Sequence, residues 1–314
     1  MPEAFVTPTL WERFRGRSMP LIALTEPQIS ADITAMNLEL VSIATDTYPL
    51  DGVFYTPSNG PIRAVAMFFH GNCHNFYMGP SRFMPKTLVA EGIACLAFNR
   101  RGHDMITSLG GRDIGGGAFQ LAHEALADNR YAAQWLRDRG FASPIVIGHS
   151  NGGVLAAQYA VDHPDTPAVV LMSAHVGGKT ITRRMSANGM FGRDQLSEIE
   201  ARARQMVADG CGKELMLLPG WWWVASAECV VDYSDNMPDI VECASRTKVP
   251  VLFLRGDQEP AELYPAEAYA ANCASSCEVR ILPECNHFYT GHEQSVSVLI
   301  ANWLRQTTKF AVSA

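Results

Sequence analysis

The chain has 314 residues, of which 47% are hydrophobic and 18% charged, and its net charge of −7 corresponds to a pI of about 5.7. This balance predicts a globular protein with ample core material and argues against nucleic acid or an anionic membrane surface as the main partner. No apolar run approaches the roughly 18 residues of a membrane span, so we expect none.

The cysteines and the amino-terminal sequence indicate a compartment. None of the eight cysteines forms a Cys-x-x-Cys pair, and a disulfide framework is typical of small secreted chains rather than one of this size. The first 20 residues show no apolar stretch behind a basic end, so we expect no signal peptide. We therefore expect reduced thiols and a cytoplasmic location, with a homodimer left open.

Strands and helices alternate along the chain. An antiparallel pair is predicted at 38–46 and 49–57. Buried strands are predicted at 64–72, 93–99, 144–148, 167–175, 249–257 and 277–284. Helices are predicted at 84–92, 119–141, 151–163, 261–272 and 292–308. The alternation predicts an α/β fold with a mostly parallel sheet between helices, whose sites lie at the carboxyl ends of the strands.

The stretch IVIGHSNGG at 145–153 contains the pattern Gly-x-Ser-x-Gly between a predicted strand and a predicted helix. Such a turn projects a serine hydroxyl toward a base, and glycine is needed where side chains would clash. Ser150 is therefore the candidate nucleophile. The alternative is a serine that only caps the helix.

A base and an orienting carboxylate follow later strands. His287, in LPECNHFY, comes after the last predicted strand, and His292 is the fallback base. An imidazole suits proton transfer at neutral pH. Asp257 ends the strand VPVLFLRGD and is the candidate acid, while Glu259 could take its place.

The oxyanion of a tetrahedral intermediate needs hydrogen-bond donors. The backbone amide of Asn151 lies beside the nucleophile at a helix start. A second amide is expected after AMFFHGN, from Asn72 or alternatively Cys73. A metal site through His70, Cys73 and His74 has no spaced partner pair to complete it, so no metal is predicted.

The order Ser150, Asp257, His287, each at a strand end, matches one fold. The sequence resembles the α/β-hydrolase superfamily in its lid-bearing serine-hydrolase branch, through FFHGN, FNRRGHD, GHSNGG, LFLRGD and NHF. The resemblance covers residues 38–175 and 248–308. It implies the α/β-hydrolase fold, a catalytic triad of these residues, an oxyanion hole from Asn72 and Asn151, and no cofactor. A serine at the nucleophile position, Ser150, argues against the dehalogenase and epoxide hydrolase branches, which have aspartate at that position.

Residues 176–247 interrupt the pattern where this superfamily places its lid. The resemblance therefore implies a core domain of residues 1–175 and 248–314 and a lid of residues 176–247. Three consecutive tryptophans in the lid cannot share one helix face, so at least one is expected in the core. The candidate substrate-binding residues are Cys73, His175, Trp221, Trp222 and Trp223.

A lid rich in Trp and Met favours an apolar substrate. The lid is also similar to those of microbial esterases and lactonases of secondary metabolites, which ranks an ester or lactone in a hydrophobic small molecule first. Two alternatives stay open. One is cleavage of a carbon–carbon bond or an amide on the same fold, and the other is a ligand-binding protein without turnover.

Overall fold

The computed structural model describes residues 36–220 and 222–308. Its central element is an eight-stranded sheet. The strands are β1 (Met36–Ile43), β2 (Leu50–Pro57), β3 (Ala64–Phe69), β4 (Ile93–Phe98), β7 (Ile145–His149), β8 (Val169–Met172), β11 (Val251–Gly256) and β12 (Cys277–Leu282). Their order across the sheet is β1-β2-β4-β3-β7-β8-β11-β12. The pairs β1·β2 and β2·β4 are antiparallel and all others in the sheet are parallel. The expected antiparallel pair and parallel core are confirmed.

Two short ribbons accompany the main sheet: β5 (Thr107–Ser108) with β6 (Ile114–Gly115), and β9 (Leu215–Leu217) with β10 (Val224–Ser226). The helices are α1 (Pro80–Phe83), α2 (Pro85–Ala90), α3 (Ala122–Asp138), α4 (Asn151–Asp162), α5 (Ile181–Ala187), α6 (Leu196–Ala208), α7 (Ala227–Asp235), α8 (Ile240–Arg246), α9 (Ala266–Asn272) and α10 (Glu293–Thr308). Single 3-10 turns lie at Gly178–Thr180 and Arg193–Gln195. No helix in the described ranges is both long and apolar enough to cross a membrane.

The two faces of the sheet carry separate hydrophobic clusters, as the continuous apolar strands require. One cluster joins α3, α4, α8 and α9 to one face, and the other joins α2 and α10 to the opposite face. Strand β7 contributes Val146 to the first cluster and Ile145 and Ile147 to the second. The alternation of its side chains therefore fixes the strand between two layers of helices, with its carboxyl end free to carry a site.

A third cluster lies in the segment between β8 and β11. It gathers Phe191, Trp222 and Tyr233 with side chains from α5, α6 and α7. Helix α8, which falls inside the expected lid of 176–247, instead places Ile240 and Cys243 in the core cluster with α4. We call residues 176–237 the insertion from here on, because this part packs mainly on its own cluster. The role of this segment as a lid stays an expectation.

The glycine-rich segment after β4 contacts the insertion directly. The backbone amide of Ser226 donates to the carbonyl of Ala118 at 2.7 Å. The thiol of Cys229 donates to the carbonyl of Gly117 at 3.6 Å. This segment is therefore more than a link between a strand and a helix, since it forms one wall against which the insertion packs.

Candidate active site

Ser150 occupies a sharp turn between β7 and α4. Its backbone has φ 56° and ψ −120°, a conformation that residues with a side chain rarely adopt. Its amide donates to the carbonyl of Met172 at 2.9 Å, which ties the turn to the end of β8. The turn therefore holds Ser150 in a strained geometry at the carboxyl end of the sheet, as the sequence motif predicts.

Three glycines allow this turn. A Cβ at Gly148 would overlap the carbonyl oxygen of Gly152, and a Cβ at Gly152 would overlap that of Phe69. At Gly153 a Cβ would lie 2.5 Å from that of Ala174. The spacing of the motif thus reflects close backbone approach at each glycine.

His287 contacts a carboxylate through its Nδ1 atom. This nitrogen donates to Oε1 of Glu259 at 2.7 Å. The side chain of Glu259 is only 3% exposed and that of His287 13%. Since Nδ1 carries the proton in this contact, a neutral His287 presents an unprotonated Nε2, the form that a general base requires.

The buried carboxylate of Glu259 is also held by its second oxygen. Oε2 accepts from the hydroxyl of Ser173 at 2.7 Å and from the amide of Gly256 at 2.8 Å. The guanidinium of Arg255 donates to the backbone carbonyl of Glu259 at 2.8 Å and so fixes the loop. A buried charge needs such donors, and these leave the carboxylate fixed in its orientation toward His287.

The expected contact between Asp257 and His287 is wrong. Asp257 is exposed, and its carboxylate accepts the backbone amides of Glu284 at 3.0 Å and Cys285 at 3.2 Å. After β11 the chain turns back, with the amide of Glu259 bonded to the carbonyl of Gly256. This turn directs Glu259 inward and leaves Asp257 to hold the loop that precedes His287.

The loop that carries His287 lies against the serine turn. His149, the residue before Ser150, has its Nε2 atom 2.9 Å from the carbonyl of His287, so Nε2 donates. The two imidazole centroids are 4.8 Å apart, and the ring of Tyr264 lies 5.0 Å from that of His287. The fallback base His292 instead contacts the carbonyl of Glu284 with its Nε2 atom.

Two further histidines near this site are held neutral. Burial lowers the pKa of His149 well below its usual value, and His287 adds to the effect. Burial also lowers the pKa of His74 to about 4, with contributions from His287 and Arg100. The rings of His74 and His149 are stacked 5.7 Å apart. Both His74 and His149 are therefore neutral at ordinary pH.

The loop after β3 carries Asn72 and Cys73. Asn72 is buried, and Cys73 has a φ of 55°, which turns the loop sharply. The fully buried Arg100 fixes the start of this loop, because its Nη2 atom donates to the carbonyl of His70 at 2.6 Å. His70 accepts the amide of Arg100 at Nε2. Among the residues described, no group of His, Cys, Asp or Glu has the arrangement of a metal site.

The helix start beside Ser150 offers the other expected donor. Asn151 is the first residue of α4, so its amide has no intrahelical acceptor. Asn72 lies in the loop after β3, the strand that pairs with β7, and Asn151 begins α4. Their role as oxyanion donors remains a prediction.

The expected substrate-binding residues lie in different environments. Trp222 is 1% exposed and packs against Phe191 and Tyr233, whereas Trp223 is 63% exposed. Trp221 lies outside the described residues. Cys73 is partly buried against Met105, and burial raises the pKa of its thiol to about 12. One tryptophan of the run is therefore core, as expected, whereas Trp223 is largely exposed to solvent.

His175 is fully enclosed and contacts Tyr233. Its Nε2 atom lies 3.0 Å from the hydroxyl of Tyr233, which also accepts from the side-chain amide of Asn72 at 3.3 Å. Tyr233 is not predicted from the sequence, and neither are Ser173 and Gly256, the two residues that hold Glu259. Nothing in the local pattern of α7 distinguishes Tyr233 from an ordinary core residue.

A cleft of about 790 Å³ borders the histidine cluster. Its lining includes His74, Met78, Arg82, Phe83, Lys86 and Phe288. The rings of Phe288 and His287 are 5.1 Å apart, which brings one wall of the cleft to the base. The cleft is large enough for a small organic molecule.

Comparisons with known proteins identify the family and the fold. A family model described as the alpha/beta hydrolase family matches residues 66–297. Est1E from Butyrivibrio proteoclasticus, solved with ferulic acid bound, is 17% identical with a TM-score of 0.65 over 85% of this chain and 98% of that one. A soluble variant of monoglyceride lipase from Saccharomyces cerevisiae, in complex with a substrate analogue, is 13% identical with a TM-score of 0.66 over 89% and 98%.

A thermostable carboxyl esterase from Bacillus coagulans, in complex with glycerol, is 13% identical with a TM-score of 0.64 over 87% of this chain and all of that one. At these identities the likeness concerns the fold. No curated protein matches the sequence significantly.

Proposed function

The chain belongs to the alpha/beta hydrolase family, and we propose that it is a serine hydrolase that cleaves an ester or lactone bond in a hydrophobic small molecule. Two observations support the proposal: the strained turn that carries Ser150, and the hydrogen bond that fixes Nδ1 of His287 on Glu259. The contact from His149 to the His287 carbonyl brings these two parts to the same end of the sheet.

In the proposed reaction, the Oγ atom of Ser150 attacks the substrate carbonyl while Nε2 of His287 takes the hydroxyl proton. The carboxylate of Glu259 stabilises the imidazolium that forms. The amides of Asn72 and Asn151 donate to the oxyanion of the tetrahedral intermediate.

Collapse of the intermediate breaks the bond to the leaving alcohol, which takes the proton from His287. An acyl group then remains on Ser150. Water attacks this ester in the second half-reaction, its proton passes to His287, and the carboxylic acid leaves as the serine hydroxyl is restored. The cycle needs no cofactor, since each proton that His287 accepts is returned within the same turnover.

The cleft beside His287 supports an apolar substrate. Met78, Phe83 and Phe288 provide hydrophobic surface, and the charged side chains in its lining include Arg82 and Lys86. A lactone would enter as one ring and remain attached to Ser150 as a single hydroxyacyl chain, whereas an ester would release a separate alcohol.

The test is hydrolysis of aryl esters of short and long chains, a macrolide lactone and an anilide by the wild type and by Ser150→Ala. We expect turnover of an ester or the lactone by the wild type and its loss in the variant. Equal activity in both proteins would contradict the proposal. Cleavage of the anilide, or of a diketone into two carbonyl-derived fragments, would favour the alternative amide or carbon–carbon reactions.

A further inference from the structure

One atom of the insertion joins two core segments beside the site. Tyr233 belongs to α7 and is 4% exposed. Its Oη atom lies 3.3 Å from Nδ2 of Asn72, in the loop after β3, and 3.0 Å from Nε2 of His175, after β8. The phenol therefore meets the same residue whose backbone amide is the expected oxyanion donor.

The protonation of His175 follows from its second contact. The backbone amide of Gly177 donates to Nδ1 of His175 at 3.1 Å, so Nδ1 is an acceptor and carries no proton. Burial lowers the pKa of His175 to about 3, with His287 adding to the shift, so the ring is neutral at ordinary pH. Its single proton is on Nε2, which donates to the phenol oxygen of Tyr233.

These contacts leave the hydroxyl hydrogen of Tyr233 without an acceptor among the residues described. The oxygen of Tyr233 accepts from His175 and from the side-chain amide of Asn72, which occupies both of its lone pairs. Burial raises the pKa of Tyr233, so the phenol keeps its proton. Within residues 36–220 and 222–308, no side chain or carbonyl accepts that hydrogen.

We propose that Tyr233 is a further catalytic residue, whose hydroxyl donates to the substrate's carbonyl oxygen together with the amides of Asn72 and Asn151. The inference rests on the proposed function. A buried donor without an acceptor is costly, and an anionic oxygen formed beside Asn72 satisfies it. His175 is then a positioning residue, because it acts by fixing the orientation of the phenol.

The proposal also gives the insertion a role in the chemistry. Tyr233 is held in place by ring contacts to Phe191 at 5.3 Å and to Trp222 at 5.0 Å. These contacts involve the ring and not the hydroxyl. Tyr233→Phe therefore removes the donor and keeps the packing, which makes it the informative substitution.

The experiment compares Tyr233→Phe with a matched control, Tyr269→Phe. Tyr269 is equally buried, and its hydroxyl contacts Thr247 in the helical layer at 3.2 Å. We expect kcat for p-nitrophenyl acetate to fall on the order of 100-fold in Tyr233→Phe, the scale of one lost oxyanion donor. KM should stay near the wild-type value, and Tyr269→Phe should resemble the wild type.

A second pair tests the positioning role of His175. His175→Gln keeps a nitrogen donor near the place of Nε2, and His175→Leu removes it. We expect the glutamine variant to retain most of kcat and the leucine variant to approach Tyr233→Phe. The double variant His175→Leu/Tyr233→Phe should lose little more kcat than Tyr233→Phe alone. Both substitutions act on the same interaction, the hydrogen bond from the Tyr233 hydroxyl to the substrate oxygen.

The outcomes separate this inference from the proposed function. Loss of turnover in Ser150→Ala, with Tyr233→Phe equal to Tyr269→Phe, would overturn the inference alone. A change confined to KM in Tyr233→Phe would also overturn it. Turnover retained in Ser150→Ala would overturn both. If Tyr233→Phe does not fold, equal kcat in His175→Gln and His175→Leu would count against the inference.

Discussion

Nδ1 of His287 donates a 2.7 Å hydrogen bond to Oε1 of Glu259, a carboxylate three residues beyond the end of β11. The same carboxylate accepts from Ser173 and from the amide of Gly256 through its other oxygen. His287, Ser173 and Gly256 are all buried or nearly so, and water therefore does not compete with them for the carboxylate oxygens. The negative charge of Glu259 is thus held in a fixed orientation toward His287.

Removing this charge should slow the reaction severely. We expect Glu259→Gln to lower kcat by about 10³–10⁴-fold, because an amide can stabilise neither the imidazolium nor the required tautomer. Asp257→Asn is the matched control, since within the described part of the chain Asp257 accepts hydrogen bonds from backbone amides alone. Its kcat should stay within several-fold of the wild type. Steady-state kinetics with one aryl ester decides between them. A larger loss of kcat in Asp257→Asn than in Glu259→Gln would instead assign to Asp257 the role of orienting His287, as expected from the sequence.

The glycines of the serine turn should be intolerant of a methyl group. A Cβ at Gly152 would overlap the carbonyl oxygen of Phe69, so we expect Gly152→Ala to lower the free energy of unfolding by about 2 kcal/mol or more. Gly111→Ala is the control, since a Cβ there meets no atom within 4 Å. Chemical denaturation measures both, and equal stability of the two variants would mean that the turn can relax.

Cys273, at the end of α9, should be more reactive than the buried cysteines. The thiol of Cys277 hydrogen-bonds to the sulphur of Cys273, which lowers the pKa of Cys273 to about 6 and raises that of Cys277. Burial raises the pKa of Cys95 and Cys229. We expect iodoacetamide at pH 7 to modify Cys273 well before those two.

Peptide mass spectrometry across pH gives the rates of modification. In Cys277→Ala, which lacks the donor thiol, the pH at which Cys273 becomes reactive should move upward. An unchanged profile in this variant would show that the hydrogen bond does not control the thiolate.

Acid should destabilise the protein through its buried neutral histidines. The pKa values of His74 and His175 are lowered to about 4 and about 3, from an ordinary 6.5. Between pH 6.5 and these values the unfolded chain binds protons that the folded chain does not. Stability is therefore full above pH 6.5 and falls as the pH drops, by about 1.4 kcal/mol per pH unit for each such proton.

Urea unfolding between pH 7.5 and 4.5 measures this slope. His175→Gln should show a shallower slope by about one proton, because glutamine does not titrate. A slope identical to that of the wild type would mean that His175 is protonated in the folded protein.

The sequence predicted the sheet well because its signals are local. Continuous apolar runs such as 93–99 match strands that are buried on both faces, and β4 spans Ile93–Phe98. Ser150 was predictable for a related reason, since the Gly-x-Ser-x-Gly motif places in a few neighbouring residues the glycines that its turn requires.

The features that the sequence did not predict depend on the three-dimensional path of the backbone. Asp257 and Glu259 are both acidic and both follow β11, and only the turn after Gly256 decides which points inward. Neighbouring Trp222 and Trp223 differ from 1% to 63% exposure for the same reason. Tyr233 lies far from Ser150 in sequence and joins the site through tertiary contacts alone, which no local pattern records.

A covalent acyl intermediate on Ser150 is the central requirement of the proposed reaction. Acid quenching of the enzyme during turnover of a p-nitrophenyl ester, followed by intact-mass and peptide mass spectrometry, measures it. We predict one added acyl group per chain, located on Ser150. It should accumulate in Glu259→Gln, in which deacylation is slowed, and it should be absent in Ser150→Ala. Turnover without any adduct on Ser150, or an acyl group found on Cys73 instead, would contradict the account.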